Sequence, residues 1–364
     1  MAARTTVAWW GVVTMAVAAG VPAPTMSMLA QGAGRNPAGR SDTALVDGPP
    51  LAQPAAGPQC GGRSSNPRTP CPGDVSAMIA ALPAAAPARP ARPRKVLVLA
   101  RAAGYVHSSI PLAARTVEEL GRKTGAWTTT ISYDAADIDT KTLAQYDAIV
   151  LASTTGHFLD DEKDPAATAA RRAAFLAFVR GGKGLAAIHA ATDSYHRRRD
   201  PQAPAASVRG PDDQIGTWPE FNTLLGGFFK YHWNDGQVIT YTIDDPGSPL
   251  TAPFAGKAPF VVADETYTFG REVYTRRNLR VLTSVDMAAM SDEDKAKEQY
   301  PRPDRDHPLS WIRAEQKGRV FYMSPGHNET VYANPVLLQH LLAGIQYATG
   351  DLKADDRPSG SRPF

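Results

Sequence analysis

Cysteine is nearly absent from this 364-residue chain: there are two, Cys60 and Cys71. Both fall in the segment QCGGRSSNPRTPC, ahead of the main apolar pattern. No C-x-x-C and no neighbouring histidine accompanies them, which argues against a zinc ribbon or a thiol redox motif. In an oxidising compartment they would close a small loop as one disulfide, worth about 2–4 kcal/mol. A surplus of one charge sign is also missing. Lys plus Arg number 39 against 36 Asp plus Glu, for a net charge of +3. Acids and bases are interspersed, so there is no basic stripe of the kind nucleic-acid binding needs. No apolar run reaches the ~20 residues of a membrane span. Walker A, a G-x-G-x-x-G after the first strand and a G-x-S-x-G elbow are absent too. No nucleotide cofactor is expected.

What is present begins with Arg4 and an apolar run from Val7 to Ala19, followed by small residues through position 30. A charged start, a short apolar core and a small-residue exit describe a signal peptide over 1–30. The expectation is export to the periplasm or beyond, with a retained N-terminal anchor the less favoured alternative. Residues 31–94 are rich in Ala, Pro, Gly and Ser and end in PAAAPARPARPR, which reads as an extended linker. A short helix around Val75–Leu82 is compatible with it.

At Lys95 the pattern changes. KVLVLA (Lys95–Ala100), Tyr146–Ser153 and Gly184–Ala190 are apolar runs suited to strands buried on both faces. Trp127–Asp134 is β-branched and aromatic, a further strand. Helical spacing runs over Pro111–Lys123 and Ala166–Arg180, the latter ending at Gly181-Gly182. This alternation predicts parallel βαβ units in a doubly wound sheet. Further on, Gln237–Ile243, Glu265–Phe269, Leu279–Val285, Leu309–Ala314 and Arg319–Met323 read as strands, the last two as a hairpin. Pro335–Thr349 is a closing helix between Pro and Gly350. The domain therefore spans 95–350, and 351–364 reads as a disordered polar tail.

Of the eight histidines, several follow strands. Ligands in open α/β sheets bind beyond the carboxyl ends of the strands. His107 follows the first strand, His157 the third, His189 ends GLAAIHA, and His327 follows RVFYMSPG. His232, in GGFFKYHW, could join from a loop. His157 is the weakest of these because an acidic run follows it. His196 reads as solvated, His340 as structural and His307 as a strand start. Catalytic candidates are His189, His107, His327 and Asp193, and Asp264 or Glu265 supplies a further carboxylate, one of the two facing inward. Three imidazoles, His107, His189 and His232, with a carboxylate could hold a divalent metal such as zinc. The same imidazoles could instead exchange protons with a hydroxylated substrate. Tyr105, Glu265, Tyr267 and Trp233 are candidate substrate contacts.

GYVHSSI, GKGLAAIHAATD, LLGGFFKYH, DETYTF, PLSWIRAEQKGRVFYMSPGH and NPVLLQHLLAGIQYATG occur in an order that resembles the ThuA-like domain, and the likeness covers nearly all of Lys95–Gly350. The resemblance implies a flavodoxin-like sheet related to class I glutamine amidotransferases, here with additional antiparallel strands in the C-terminal half. It implies a role in the utilisation of trehalose or other disaccharides, on 3-keto sugars made by a partner sugar dehydrogenase. The amidotransferases place a nucleophilic Cys at a strand-to-helix turn, where this chain has His189, Ala190 and Ala191. Both cysteines lie outside the domain, so thiol-based glutamine hydrolysis is excluded. Two functions follow as expectations: an enzyme acting on a small carbohydrate, or a non-catalytic carbohydrate-binding module on an exported linker. Oligomeric state is not read from the sequence.

Overall fold

A computed structural model describes residues 68–197, 215–270, 273–298 and 301–360. The expected signal segment, residues 31–67 of the linker, Cys60 and the end of the tail at 361–364 lie outside these. Cys71 is disulfide-bonded. Along the chain come α1 (Pro72–Ala81), β1 (Lys95–Leu99), α2 (Ile110–Thr124), β2 (Thr128–Ser132), α3 (Thr140–Leu143), β3 (Ala148–Ala152), α4 (Pro165–Arg180) and β4 (Gly184–Ile188). Then follow α5 (Pro219–Leu225), β5 (Phe229–His232), β6 (Val238–Ile243), β7 (Val261–Ala263), β8 (Tyr267–Phe269) and β9 (Arg280–Val285). The last elements are α6 (Asp292–Ala296), β10 (Pro308–Glu315), β11 (Gly318–Met323) and α7 (Pro335–Thr349).

Nine strands form one sheet in the order β2-β1-β3-β4-β11-β10-β9-β6-β7. Pairings from β2 through β11 are parallel, and those from β11 to β7 are antiparallel. The period of two in the central strands sorts their side chains between two layers. Val96, Val98, Val150 and Ile188 face the layer of α2 and α7. Leu97, Leu99, Ile149, Leu151 and Leu185 face Phe175 and Val179 of α4 and Phe221 and Leu224 of α5. Burial on both sides is why these strands read as unbroken apolar runs. The fold is a flavodoxin-like, doubly wound α/β architecture with an antiparallel extension.

Helix ends follow the local chemistry. The Asp164 side chain accepts from Ala167 N and Pro165 opens α4. The Asn334 side chain accepts from the first backbone N–H groups of α7, and Gly350 ends that helix at φ +84°, a conformation glycine adopts without strain.

Two segments differ from the expectation. The described part of the Pro-rich stretch is fastened to the domain. Val75, Met78 and Leu82 of the α1 segment are buried in the core shared with α2 and α7. Ala88 exchanges two hydrogen bonds with the Gln346 side chain, at 3.0 and 2.6 Å. Proline removes backbone donors, but an extended chain can still lie along a helix and use side-chain amides. Likewise, Ser359 and Gly360 donate their N–H groups to the carbonyls of Leu279 and Arg276, so the described part of the tail is ordered against β9.

A Cβ at Gly344 of α7 would lie 2.3 Å from ring carbons of Phe321 on β11. Although alanine is the better helix former, overpacking wins, and Gly344→Ala should lower the denaturation midpoint by about 1–3 kcal/mol of stability. His340, buried in α7, donates from Nδ1 to the Leu250 carbonyl at 2.7 Å. Burial pushes its imidazole down from 6.5 to about 4. The unfolded chain therefore binds the proton first, and stability falls as pH drops from 6.5 towards 4, by about 3 kcal/mol in all. Chemical denaturation across that range should show a shallower decline for His340→Gln than for the parent.

Candidate functional site

The site lies beyond the carboxyl ends of β1, β4 and β11, near the point between β1 and β3 where the winding direction reverses. His107 is carried by the loop after β1. That loop is pinned to the one after β3: Ala103 N donates to the Thr155 carbonyl, Gly104 N donates to Thr155 Oγ1, and Thr155 Oγ1 donates to the Tyr105 carbonyl. A side chain at Gly156 would collide with Ala103 backbone at 2.6 Å, and the residue has φ +61°. Only glycine suits this crossing.

His189 stands where β4 ends, with a left-handed backbone at φ +46°. Such a conformation costs a non-glycine residue about 1–3 kcal/mol and persists only where the surroundings hold it. Here Tyr322 donates its hydroxyl to the His189 carbonyl at 2.8 Å. On the ring, Nδ1 lies 2.8 Å from the Ser324 carbonyl. A carbonyl can only accept, so Nδ1 carries a proton, and in the neutral ring Nε2 is the atom that holds the lone pair. Nε2 faces Glu265 Oε2 at 3.3 Å.

Glu265 lies in the crossing between β7 and β8. His327 Nδ1 is 3.0 Å from Glu265 Oε2, and His232 Nδ1 is 3.0 Å from Oε1. Both members of the Asp264-Glu265 pair are buried, because the chain between β7 and β8 is not a strand and imposes no alternation. Asp264 accepts from the backbone N–H groups of Gly326, His327 and Asn328 at 2.7, 3.2 and 2.8 Å. One carboxylate thus shapes the His327 loop and the next gathers the imidazoles.

One donor atom each from His107, His189, Glu265 and His327 lie within 4.8 Å of one another. The imidazoles of His107 and His189 meet edge to face at 4.9 Å, and those of His107 and His327 at 5.1 Å. Burial pushes the His107 imidazole well below its ordinary value, and the neighbouring imidazoles add to this. Burial acts to raise the Glu265 carboxyl, but the three imidazoles around it hold it well below the usual carboxylate range. Burial opposes protonation of His327, and the Glu265 carboxylate overcomes it, so that imidazole is raised.

The remaining candidates fall around this centre. His232 touches it only through Glu265, and its Nδ1 also lies 2.7 Å from the Trp233 carbonyl. Tyr105 is 42% exposed with its ring against His107 at 4.7 Å, the geometry of an aromatic surface at the mouth. Tyr267 is buried, packed on His189 at 4.3 Å. Trp233 is fully buried and donates its indole N–H to the Asp294 carbonyl, so neither ring presents a face to a ligand. Asp193 pairs with His196 Nε2 at 3.0 Å. His196 is thus enclosed and stacked on Phe228, not solvated. His157 is bound to Asp160 and to the His196 carbonyl, apart from the cluster. Asp235, not singled out in the sequence, stands 3.5 Å from His327 Nε2 and lines an open cavity of about 480 Å³ with Asn234 and Gln237.

Fold and site together define a flavodoxin-like α/β protein with a histidine–carboxylate centre at its strand ends. The family model described as ThuA, trehalose utilisation, matches residues 95–203 and 205–348, and the chain belongs to that family. A ThuA-like protein from Bacteroides uniformis superposes with a TM-score of 0.52 at 20% identity, over 73% of this chain and 95% of that one, a likeness of fold. A second, from Parabacteroides merdae, has a TM-score of 0.44 at 17% identity over 72% and 92%. No curated protein matches the chain.

Asp264→Asn would place an amide among three donors that now share a carboxylate. The variant should lose about 1–3 kcal/mol of stability. Hydrogen exchange at the amides of Gly326 and Asn328 should accelerate, while exchange in α2 remains as in the parent.

Proposed function

We propose that this protein is an enzyme acting on a small carbohydrate in disaccharide utilisation, with a trehalose-type sugar or a 3-keto disaccharide as substrate. The observation that carries this is the convergence of His107, His189, His327 and Glu265 at the strand ends of a chain in a trehalose-utilisation family. Imidazoles and carboxylates are the usual side chains for proton transfer and ligand polarisation, and Tyr105 offers an exposed ring on which a sugar face could stack. His189, His107 and His327 would meet the reacting atoms. Asp193, held by His196, would act beside them. Export by residues 1–30 and supply of a keto sugar by a partner dehydrogenase belong to the same proposal.

The test is conversion. The purified protein is incubated with trehalose, other disaccharides and their 3-keto derivatives, and products are followed by chromatography and mass spectrometry. Turnover of at least one is expected, falling by about 10²–10⁴-fold in His189→Asn while circular dichroism stays as in the parent. Saturable sugar binding with no product from any of them would overturn the enzyme and leave a binding module.

A further inference from the structure

We propose that His107, His189, His327 and Glu265 form a binding site for one divalent transition-metal ion. His107 Nδ1, His189 Nε2 and His327 Nδ1 are all buried with no partner in hydrogen-bond geometry. Glu265 Oε2 stands 3.3 and 3.0 Å from the latter two, but out of line for a hydrogen bond. Buried ring nitrogens left without a partner are costly, and their gathering within 4.8 Å of a carboxylate oxygen gives them one common use. A metal ion satisfies all of them at once.

The surroundings match what a metal ligand set requires. The Ser324 carbonyl fixes the His189 tautomer that leaves Nε2 free to coordinate. His232 Nδ1 faces Glu265 Oε1, leaving Oε2 for the ion. His232 is therefore an outer partner, and His327 takes the ligand position that the sequence reading gave to His232. Three imidazoles and one carboxylate suit zinc or a neighbouring first-row ion, whereas calcium and magnesium favour oxygen. His327 Nε2 faces Asp235 at the open cavity, which provides an approach for the ion and for a ligand completing its coordination.

The full chain, stripped with a chelator, is titrated with Zn²⁺ by calorimetry and with Co²⁺ by visible absorption. No sugar is present, so this result stands or falls separately from the carbohydrate assay. One equivalent should bind. Glu265→Gln and His327→Gln should each weaken binding by more than about 100-fold, and His232→Gln by about 10-fold. His157→Gln should bind as the parent does. If Glu265→Gln does not fold, His327→Gln at the cavity edge carries the comparison. Failure of the folded parent to bind one equivalent would overturn the site. So would unchanged affinity in a folded Glu265→Gln or His327→Gln variant.

Discussion

A carboxylate leaves water only at a cost of several kcal/mol, unless partners of opposite charge or strong donors go with it. Glu265 is nearly enclosed, and His189, His327 and His232 surround it. Much of the surrounding structure serves this placement. Asp264 holds the three backbone donors at 326–328, which sets His327. Ser109 donates its hydroxyl to the Gly326 carbonyl at 2.7 Å, tying the start of α2 to the same loop. Loops from both halves of the chain are thereby held around one point.

The parallel half of the sheet explains why this point lies where it does. Crossing helices return each parallel strand to the same edge, so the loops after β1, β3 and β4 open together. His189 takes the tightest position, a left-handed residue immediately after β4. An imidazole occupies this turn, and both cysteines precede β1, so no thiol stands at this strand end.

Sequence patterning carried far where burial is two-sided. KVLVL, AIVLA and GLAAI announce strands because every side chain in them meets core. The amphipathic α2 and capped α7 are similarly plain. The attachment of Ala88 to Gln346 was not legible, because side-chain amides meeting an extended chain leave no periodic trace. Strand-end histidines could be named from position alone. Their ranking could not: His232 and His327 both follow elements at the rim, and only the β7–β8 crossing, which brings in Glu265, decides that His327 joins His107 and His189. Trp233 shows the opposite failure. Its neighbours Tyr231 and His232 are partly exposed, yet its own ring turns inward, to Asp294 and against His307 at 5.3 Å.

Three imidazoles and one carboxylate converge on one point, where the proposed metal ion would sit. Anomalous X-ray diffraction from crystals of the purified protein, recorded at and below the absorption edge of zinc, addresses it most directly. The predicted result is one anomalous peak about 2.1 Å from His189 Nε2, His327 Nδ1 and a ring nitrogen of His107, with Glu265 Oε2 as the fourth neighbour. A fully ordered site with no such peak in zinc-supplied crystals, or a peak bound elsewhere, would contradict it.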